Sequence, residues 1–306
     1  MTTDFDHAAD VVRQFDRDRY LSALLLPESL RPGVMALYAF SAEIARIREL
    51  VSEPLPGEVR LQWWRDLLEG TEHGAAAANP VANALLQTIE TYRLPRQGLV
   101  SMIDARVFDL YNDPMPSLND LEGYAGETAS SLFQLVCLVL NDGKEADTAT
   151  AAGHAGVAYS LTGLMRALPW HASRQQIYVP ADIQGRHNLD PETVFRGLTT
   201  PELKAALAEM CGHVRHHLTR VKKAATDVPH NCQPAFCPWC WCGHSWKSWK
   251  PPISTHCSRR RKSRSCAANG SCGGHPAGFL TGSEKDQQWR MLPSRRLVAR
   301  YSAAAF

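Results

Sequence analysis

The spacing of apolar residues constrains the fold of this chain more than any other feature. Leu37, Phe40, Ile44 and Ile47 lie three or four residues apart, which puts them on one face of a helix. A break follows at residues 54–57, where proline and glycine are expected to stop the helix. Strand-like character is confined to the short stretch QQIYVP, so the sequence predicts an all-α domain. Similar helical segments are indicated at 61–68, 81–89, 97–111, 121–140, 151–168 and 201–223.

The composition changes abruptly after residue 236. Residues 237–306 contain six of the nine cysteines and five of the eight tryptophans, with 12 Lys/Arg against 2 Asp/Glu. Residues 1–236 carry 21 Lys/Arg against 29 Asp/Glu, and the helical spacing ends with them. Such asymmetry usually indicates a basic tail that binds nucleic acid or a membrane surface. We predict a helical domain over 1–236 and an irregular C-terminal tail over 237–306.

One interpretation of the tail is a zinc module. Structural zinc sites take cysteines and histidines in pairs separated by two to four residues, and CPWCWC supplies a first pair. The remaining cysteines have no partner at that spacing, which disfavours zinc. The candidate ligands are Cys237, Cys240, Cys242, His244, His256, Cys257, Cys266, Cys272 and His275.

A shifted reading frame explains the tail better. Codons permitted for residues 237–274 can be chosen so that the shifted frame encodes LPLVLVRPLLEKLEAADFDPL and a further helical segment. This product is an amphipathic helix, an acidic turn and a second helix, which suits the domain that precedes it. The loss of one base near Phe236 would explain three features of residues 237–306 at once: their positive charge, their excess of Cys and Trp, and their lack of helical periodicity. The tail is therefore predicted to be non-native, and no nucleic-acid partner is expected.

Four stretches of residues 1–236 resemble the squalene/phytoene synthase family. The family's helix with the first aspartate-rich motif is similar to YAFSAEIARIRELVSE, which begins at Tyr38. The family's next helix is similar to VRLQWWRDLLEG, residues 59–70. YAGETASSL, from Tyr124, resembles the YC..VAG motif. YSLTGLMRALPWHASRQQIYVPADI, residues 159–183, resembles the second aspartate-rich helix and the RxYLP element. The resemblance implies an isoprenoid-synthase-like helical bundle.

The chain departs from the family at the aspartates themselves. In active members, carboxylates at i and i+4 lie on one helix face and hold Mg²⁺ and diphosphate. The first motif's acidic positions fall here on Ala45 and Glu49, and the second motif's on Ala167 and His171. Only Glu49 offers an oxygen ligand, so we predict a degenerate site with no catalytic residues and no metal.

Positive charge takes the place of the lost carboxylates. Arg46 and Arg48 stand where the family presents negative charge. By the resemblance, Arg166, Arg174 and Tyr178 match positions near the diphosphates, and arginine is well suited to phosphate oxygens. These three residues are predicted to bind an anion or a diphosphate.

The adjacent Trp63 and Trp64 suggest two alternatives. Both could line a prenyl pocket, but neighbouring aromatic residues on a helix point in different directions. The favoured prediction is one core residue and one interfacial residue.

A subgroup of the family fits these departures. FSAEIARIRELVSE, YAGETASSL and RALPWHASRQQIYVPADI resemble an aspartate-poor subgroup that includes the mitochondrial complex I assembly factor of squalene/phytoene synthase type and its bacterial relatives. The resemblance implies a pseudoenzyme whose partner is a respiratory-complex subunit or a lipid or prenyl ligand. The alternative is an active Mg-dependent prenyltransferase that condenses two prenyl diphosphates.

The sequence also bears on location. The first ten residues are acidic and lack the apolar core of a secretory signal. The longest apolar stretch, residues 132–140, is about half as long as a membrane-spanning helix requires. We therefore predict a cytoplasmic protein, with peripheral contact to the inner membrane compatible with an assembly role.

Overall fold

The computed structural model describes residues 3–70 and 78–238, and within those ranges it is helical with no strand. This confirms the all-α prediction. The helices are α1 Asp4–Phe15, α2 Arg17–Ala23, α3 Arg31–Leu50, α4 Pro54–Glu69, α5 Pro80–Tyr92, α6 Arg96–Arg106, α7 Leu118–Ala125, α8 Ser131–Leu140, α9 Ala149–Arg166, α10 Leu168–Ala172, α11 Ala181–Arg186, α12 Pro191–Phe195 and α13 Pro201–Ala224.

The predicted break at residues 54–57 is wrong in detail. Helix α3 ends at Leu50, and Pro54 and Pro56 lie in the first turn of α4. Proline fits there because the first helical N–H groups have no intrahelical partner. Gly57 lies inside α4, where a Cβ atom would come within 2.5 Å of the Leu110 side chain. The prolines therefore start a helix, and the glycine permits close packing.

Helix α3 runs through the middle of the larger hydrophobic cluster. Its residues from Gly33 to Ala42 are buried without interruption, and the helix packs against α1, α5 and α8. A second cluster forms where α9 packs along α13, with α7 and α10–α12 around them. The strand-like stretch QQIYVP, residues 175–180, forms no strand: Gln175 lies in a turn, and Ile177 to Val179 are buried in this second cluster.

Helices α7 and α8 are joined without a loop by a π-helical turn, Gly126–Ser130. Single π-turns occur often at functional sites, because the extra residue re-aims the side chains that follow. Helix α9 crosses this turn at Gly156, where a Cβ atom would lie 2.3 Å from the backbone nitrogen of Ser130. The crossing therefore requires a glycine.

After α13 the chain returns to α8. A 3₁₀ turn, Gln233–Phe236, packs on that helix, and the Phe236 ring stacks on Phe133 with centroids 5.8 Å apart. Cys237 is partly buried. The other proposed zinc ligands and the predicted tail from residue 239 onward lie outside the described residues. Within residues 3–70 and 78–238, no helix is long and apolar enough to cross a membrane.

Candidate functional site

The four motif positions meet at one cavity. Ala45 and Glu49 face it from α3, and Ala167 and His171 face it from the junction of α9 and α10. The backbone N–H of His171 donates to the carbonyl oxygen of Ala167 at 3.0 Å, so these two residues lie one helical turn apart. The cavity measures about 250 Å³. The four motif positions thus still meet at one cavity, although only Glu49 among them keeps a carboxylate.

The side chains at these positions do not fit a magnesium–diphosphate cluster. Both alanines lack ligand atoms, and Glu49 is exposed, with its Oε2 atom 3.8 Å from Nε of Arg46. Burial lowers the pKa of His171 to about 4, so the ring is neutral near pH 7 and offers nitrogen, whereas Mg²⁺ prefers oxygen. Among the described residues, no group of three His, Cys, Asp or Glu side chains could hold a metal ion.

One buried carboxylate at the cavity, Asp109, already accepts three hydrogen bonds. The hydroxyl groups of Tyr178 and Tyr124 donate to its Oδ1 atom at 2.7 and 2.9 Å, and Nη1 of Arg106 donates to its Oδ2 atom at 2.9 Å. Asp109 is only 5% exposed. Burial, and then the Asp109 charge, raise the pKa of Tyr178, so its hydroxyl keeps its proton. Asp109 therefore holds the cavity wall together, and both of its oxygens already accept hydrogen bonds from the protein.

Sequence reasoning missed this network. Asp109 and Arg106 lie at the end of α6 and in the 3₁₀ turn after it, Val107–Leu110, outside the stretches that carry the family resemblance. A spacing of three residues between opposite charges near a helix end is common on surfaces, so the pattern alone does not indicate burial. The structure reveals the burial of Asp109, because Tyr124 and Tyr178 from other elements donate to its carboxylate.

Arginine dominates the charge of the cavity. Four arginines line it, against the two carboxylates Glu49 and Asp109. Arg19 pairs with Asp16 at 2.9 Å, and its guanidinium lies 4.6 Å from the ring centroid of Tyr159. The four arginines are Arg19, Arg48, Arg106 and Arg174.

The predicted anion-binding residues separate in the structure. Arg174 lines the cavity and lies over the Trp170 ring at 4.3 Å. Tyr178 also lines it, but its hydroxyl proton is directed to Asp109 and its oxygen accepts from Nε2 of Gln176 at 3.0 Å. Arg166 does not line the cavity, and its Nη1 atom is 2.9 Å from Oδ2 of Asp18. Of the three predicted residues, only Arg174 presents a donor to the cavity.

The two tryptophans of α4, Trp63 and Trp64, do not line this cavity. Trp64 is 4% exposed and packs edge-on against Phe40 at 5.2 Å, whereas Trp63 is half-buried. Trp64 is the predicted core residue. The interfacial role of Trp63 stays a prediction. Both tryptophans and Arg60 line a separate groove between α3 and α4, which contains none of the four motif positions.

Comparisons with known proteins agree with this geometry. The family model of squalene/phytoene synthase matches residues 12–240. The rat protein named NADH dehydrogenase (ubiquinone) complex I, assembly factor 6, is 30% identical over 230 residues, which cover 75% of this chain and 69% of the rat protein. The phytoene synthase of Thermus thermophilus is 26% identical over 223 residues, 70% of this chain and 72% of that enzyme.

Solved structures show the same fold at lower identity. A dehydrosqualene synthase in complex with a ligand superimposes with a TM-score of 0.67 at 16% identity, over 80% of this chain and 87% of that one. A squalene synthase from Alicyclobacillus acidocaldarius gives a TM-score of 0.66 at 16% identity, over 80% and 94% of the two chains. By its fold, and by the family model that covers most of its length, this chain belongs to the squalene/phytoene synthase family.

Proposed function

We propose that this chain no longer condenses prenyl diphosphates and acts instead as a binding protein in the biogenesis of respiratory complex I. The observation that carries the proposal is the single carboxylate left among the four motif positions that face the cavity. The similarity to complex I assembly factor 6 supports the assembly role. A respiratory-complex subunit is then the expected partner, and the periphery of the membrane that holds that complex is the expected location.

Physical reasons also support a loss of condensation. Departure of a diphosphate needs its growing charge to be neutralised in the transition state, and such electrostatic stabilisation is usually the largest catalytic contribution. Here the metal-binding carboxylates are reduced to Glu49, which has Arg46 as a neighbour. A cavity of about 250 Å³ is also below the roughly 300–1,000 Å³ typical of pockets that enclose drug-sized ligands, and two prenyl chains require more.

The first test is biochemical. The full chain is incubated with Mg²⁺ and farnesyl or geranylgeranyl diphosphate, and released diphosphate and condensed product are measured beside an active synthase. We expect no product above the protein-free control. Turnover that is abolished by Glu49→Gln would establish the alternative, an active prenyltransferase, and refute the proposal.

The second test is genetic. Deleting the gene in its host is expected to lower the amount of assembled complex I and its NADH–quinone activity. Re-expression of an Ala45→Val variant is expected to restore assembly, because an aliphatic residue there preserves a non-catalytic site. Normal complex I in the deletion strain would contradict the assembly role while leaving the biochemical result intact.

A further inference from the structure

Two guanidinium groups at the cavity have no carboxylate to neutralise them. Among the described residues, neither Arg48 nor Arg174 forms an ion pair, whereas Arg19 pairs with Asp16 and Arg106 with Asp109. Arg48 makes only long hydrogen bonds, at 3.4 Å each, to the carbonyl oxygen of Val51 and Oδ1 of Asn112. The contact of Arg174 is with the Trp170 ring.

The same cavity also holds polar atoms that lack hydrogen-bond partners. The Nε–H groups of Arg48 and Arg106 are buried and bond to no atom of the described chain. Buried guanidinium donors without acceptors are unfavourable, and in native proteins most such groups find a partner. Both residues line the cavity, but these two Nε atoms have almost no surface open to it, so a ligand there contacts other atoms of the two side chains.

His171 adds no positive charge to this balance near pH 7, because burial holds its pKa at about 4. Glu49, the second carboxylate at the cavity, has Arg46 beside it at 3.8 Å. The uncompensated charge of the cavity is therefore the two guanidinium groups. The complementary ligand is an anion with a charge near −2 and several acceptor oxygens. A phosphate monoester has these properties, because its second pKa lies near 6.

We propose that the cavity binds a phosphate monoester without a metal ion, through Arg48 and Arg174. Arginine recognises phosphate oxygens in paired hydrogen bonds, so guanidinium groups here do the charge neutralisation that metal ions do in the synthases. Arg48 is not one of the four motif positions. The inference deepens the proposed binding function by giving the ligand class of the same site.

The size of the cavity limits what is enclosed. About 250 Å³ suits a phosphate head and a few further atoms, so any long chain must extend outside. The same chemistry is offered by a free phosphate monoester and by the headgroup of a lipid such as phosphatidic acid. The two sources differ in whether binding needs a membrane.

The experiment uses the full chain in EDTA, so that no divalent metal is present. Binding of glycerol 3-phosphate is measured by calorimetry. Binding to phosphatidylcholine vesicles with and without phosphatidic acid is measured by co-sedimentation. Saturable binding of glycerol 3-phosphate would support a free ligand, and binding only to vesicles with phosphatidic acid would support a lipid headgroup. Binding to neither probe would overturn the proposal.

Variants assign the binding to the cavity. Arg48→Gln and Arg174→Gln are each expected to weaken binding about 10- to 100-fold, as is usual for loss of a charged hydrogen-bond partner. Arg60→Gln is the matched control, because Arg60 is exposed on α4 in the separate groove, and it is expected to leave binding unchanged. Equal weakening by Arg60→Gln would show general charge attraction and overturn the proposal.

Folding of each variant is checked by its melting temperature. If Arg174→Gln does not fold, Arg48→Gln carries the test, since it removes only two long hydrogen bonds. Binding that requires added Mg²⁺ would also overturn the inference. The condensation assay is independent of these outcomes, so the inference can fail while the proposed function stands.

Discussion

Asp109 illustrates what a buried carboxylate requires to remain part of a fold. Two tyrosine hydroxyls and one guanidinium donate to it, which offsets the cost of removing its charge from water. The three partners are Arg106 of α6, Tyr124 of α7 and Tyr178, which follows α10. No local pattern links residues so far apart in the sequence, so the network could not be predicted. The four motif positions, by contrast, could be located in the sequence by the family resemblance.

The lowered pKa of His171 predicts a pH dependence of stability. The unfolded chain takes up a proton at this histidine near pH 6.5, whereas the folded chain resists protonation until about pH 4. Between these values the unfolded state binds more protons, so the free energy of unfolding falls as the pH falls through this window. The upper bound of the effect is about 3 kcal/mol.

The measurement compares urea unfolding of the unmodified protein and His171→Gln from pH 7 to pH 4. The variant is expected to lose less stability over this range, since it has no proton to take up at that position. His216→Gln, at an exposed position on α13, serves as control and should follow the unmodified protein. Parallel curves for all three proteins would contradict the prediction.

At the scale of elements, the position of α9 depends on Gly156. The apolar spacing predicted this helix and α13, and both extend close to their predicted limits. The spacing did not reveal that α9 crosses the π-turn at near-contact distance, because a glycine in a helical segment looks the same whether it packs closely or faces water. The crossing matters for the site, because Thr128 and Ala129 of the π-turn and Ala167 after α9 line one cavity.

Gly156→Ala is therefore expected to destabilise the protein. The new Cβ atom would meet the backbone of Ser130, which cannot move as a flexible side chain does. Forcing an extra methyl into a closely packed region costs about 1–3 kcal/mol or more. Thermal unfolding would show this as a clear drop in the midpoint.

Gly153→Ala, on the same helix, is the matched control. No atom lies within 4 Å of a Cβ atom at Gly153. Alanine there is expected to leave stability unchanged or raise it by about 0.5–1 kcal/mol, because it favours the helix and restricts the unfolded chain. A similar loss of stability in both variants would argue against the close crossing.

At the scale of the whole molecule, the change of composition predicts a boundary after residue 236. Helical periodicity predicted the all-α class, and the resemblance predicted the family, which the family model matches over residues 12–240. The short helices α10–α12 escaped prediction because five or six residues carry too little periodicity to detect. The reading-frame hypothesis for 237–306 remains a prediction.

Restoring the frame after Phe236 is expected to raise the melting temperature. A helix such as LPLVLVRPLLEKLE would bury several large side chains, each contributing about 1.5–3 kcal/mol. This is large against a typical total stability of about 5–15 kcal/mol. The nucleotide sequence at the Phe236 codon shows whether a base is missing, and calorimetry on both versions measures the gain. Equal melting temperatures would contradict the hypothesis.

The arginines of the cavity also limit how this lineage could regain catalysis. A mutation that returned aspartate to Ala45 or Ala167 would place a carboxylate in a cavity that already holds Arg48 and Arg174. An ion pair inside the protein would form more readily than a bond to a hydrated Mg²⁺ ion, because the positive charge is already in place. Several substitutions would have to occur together before the protein gained any synthase activity that selection could favour. The loss of the carboxylates is thus protected against single-step reversal by the arginines that line the cavity.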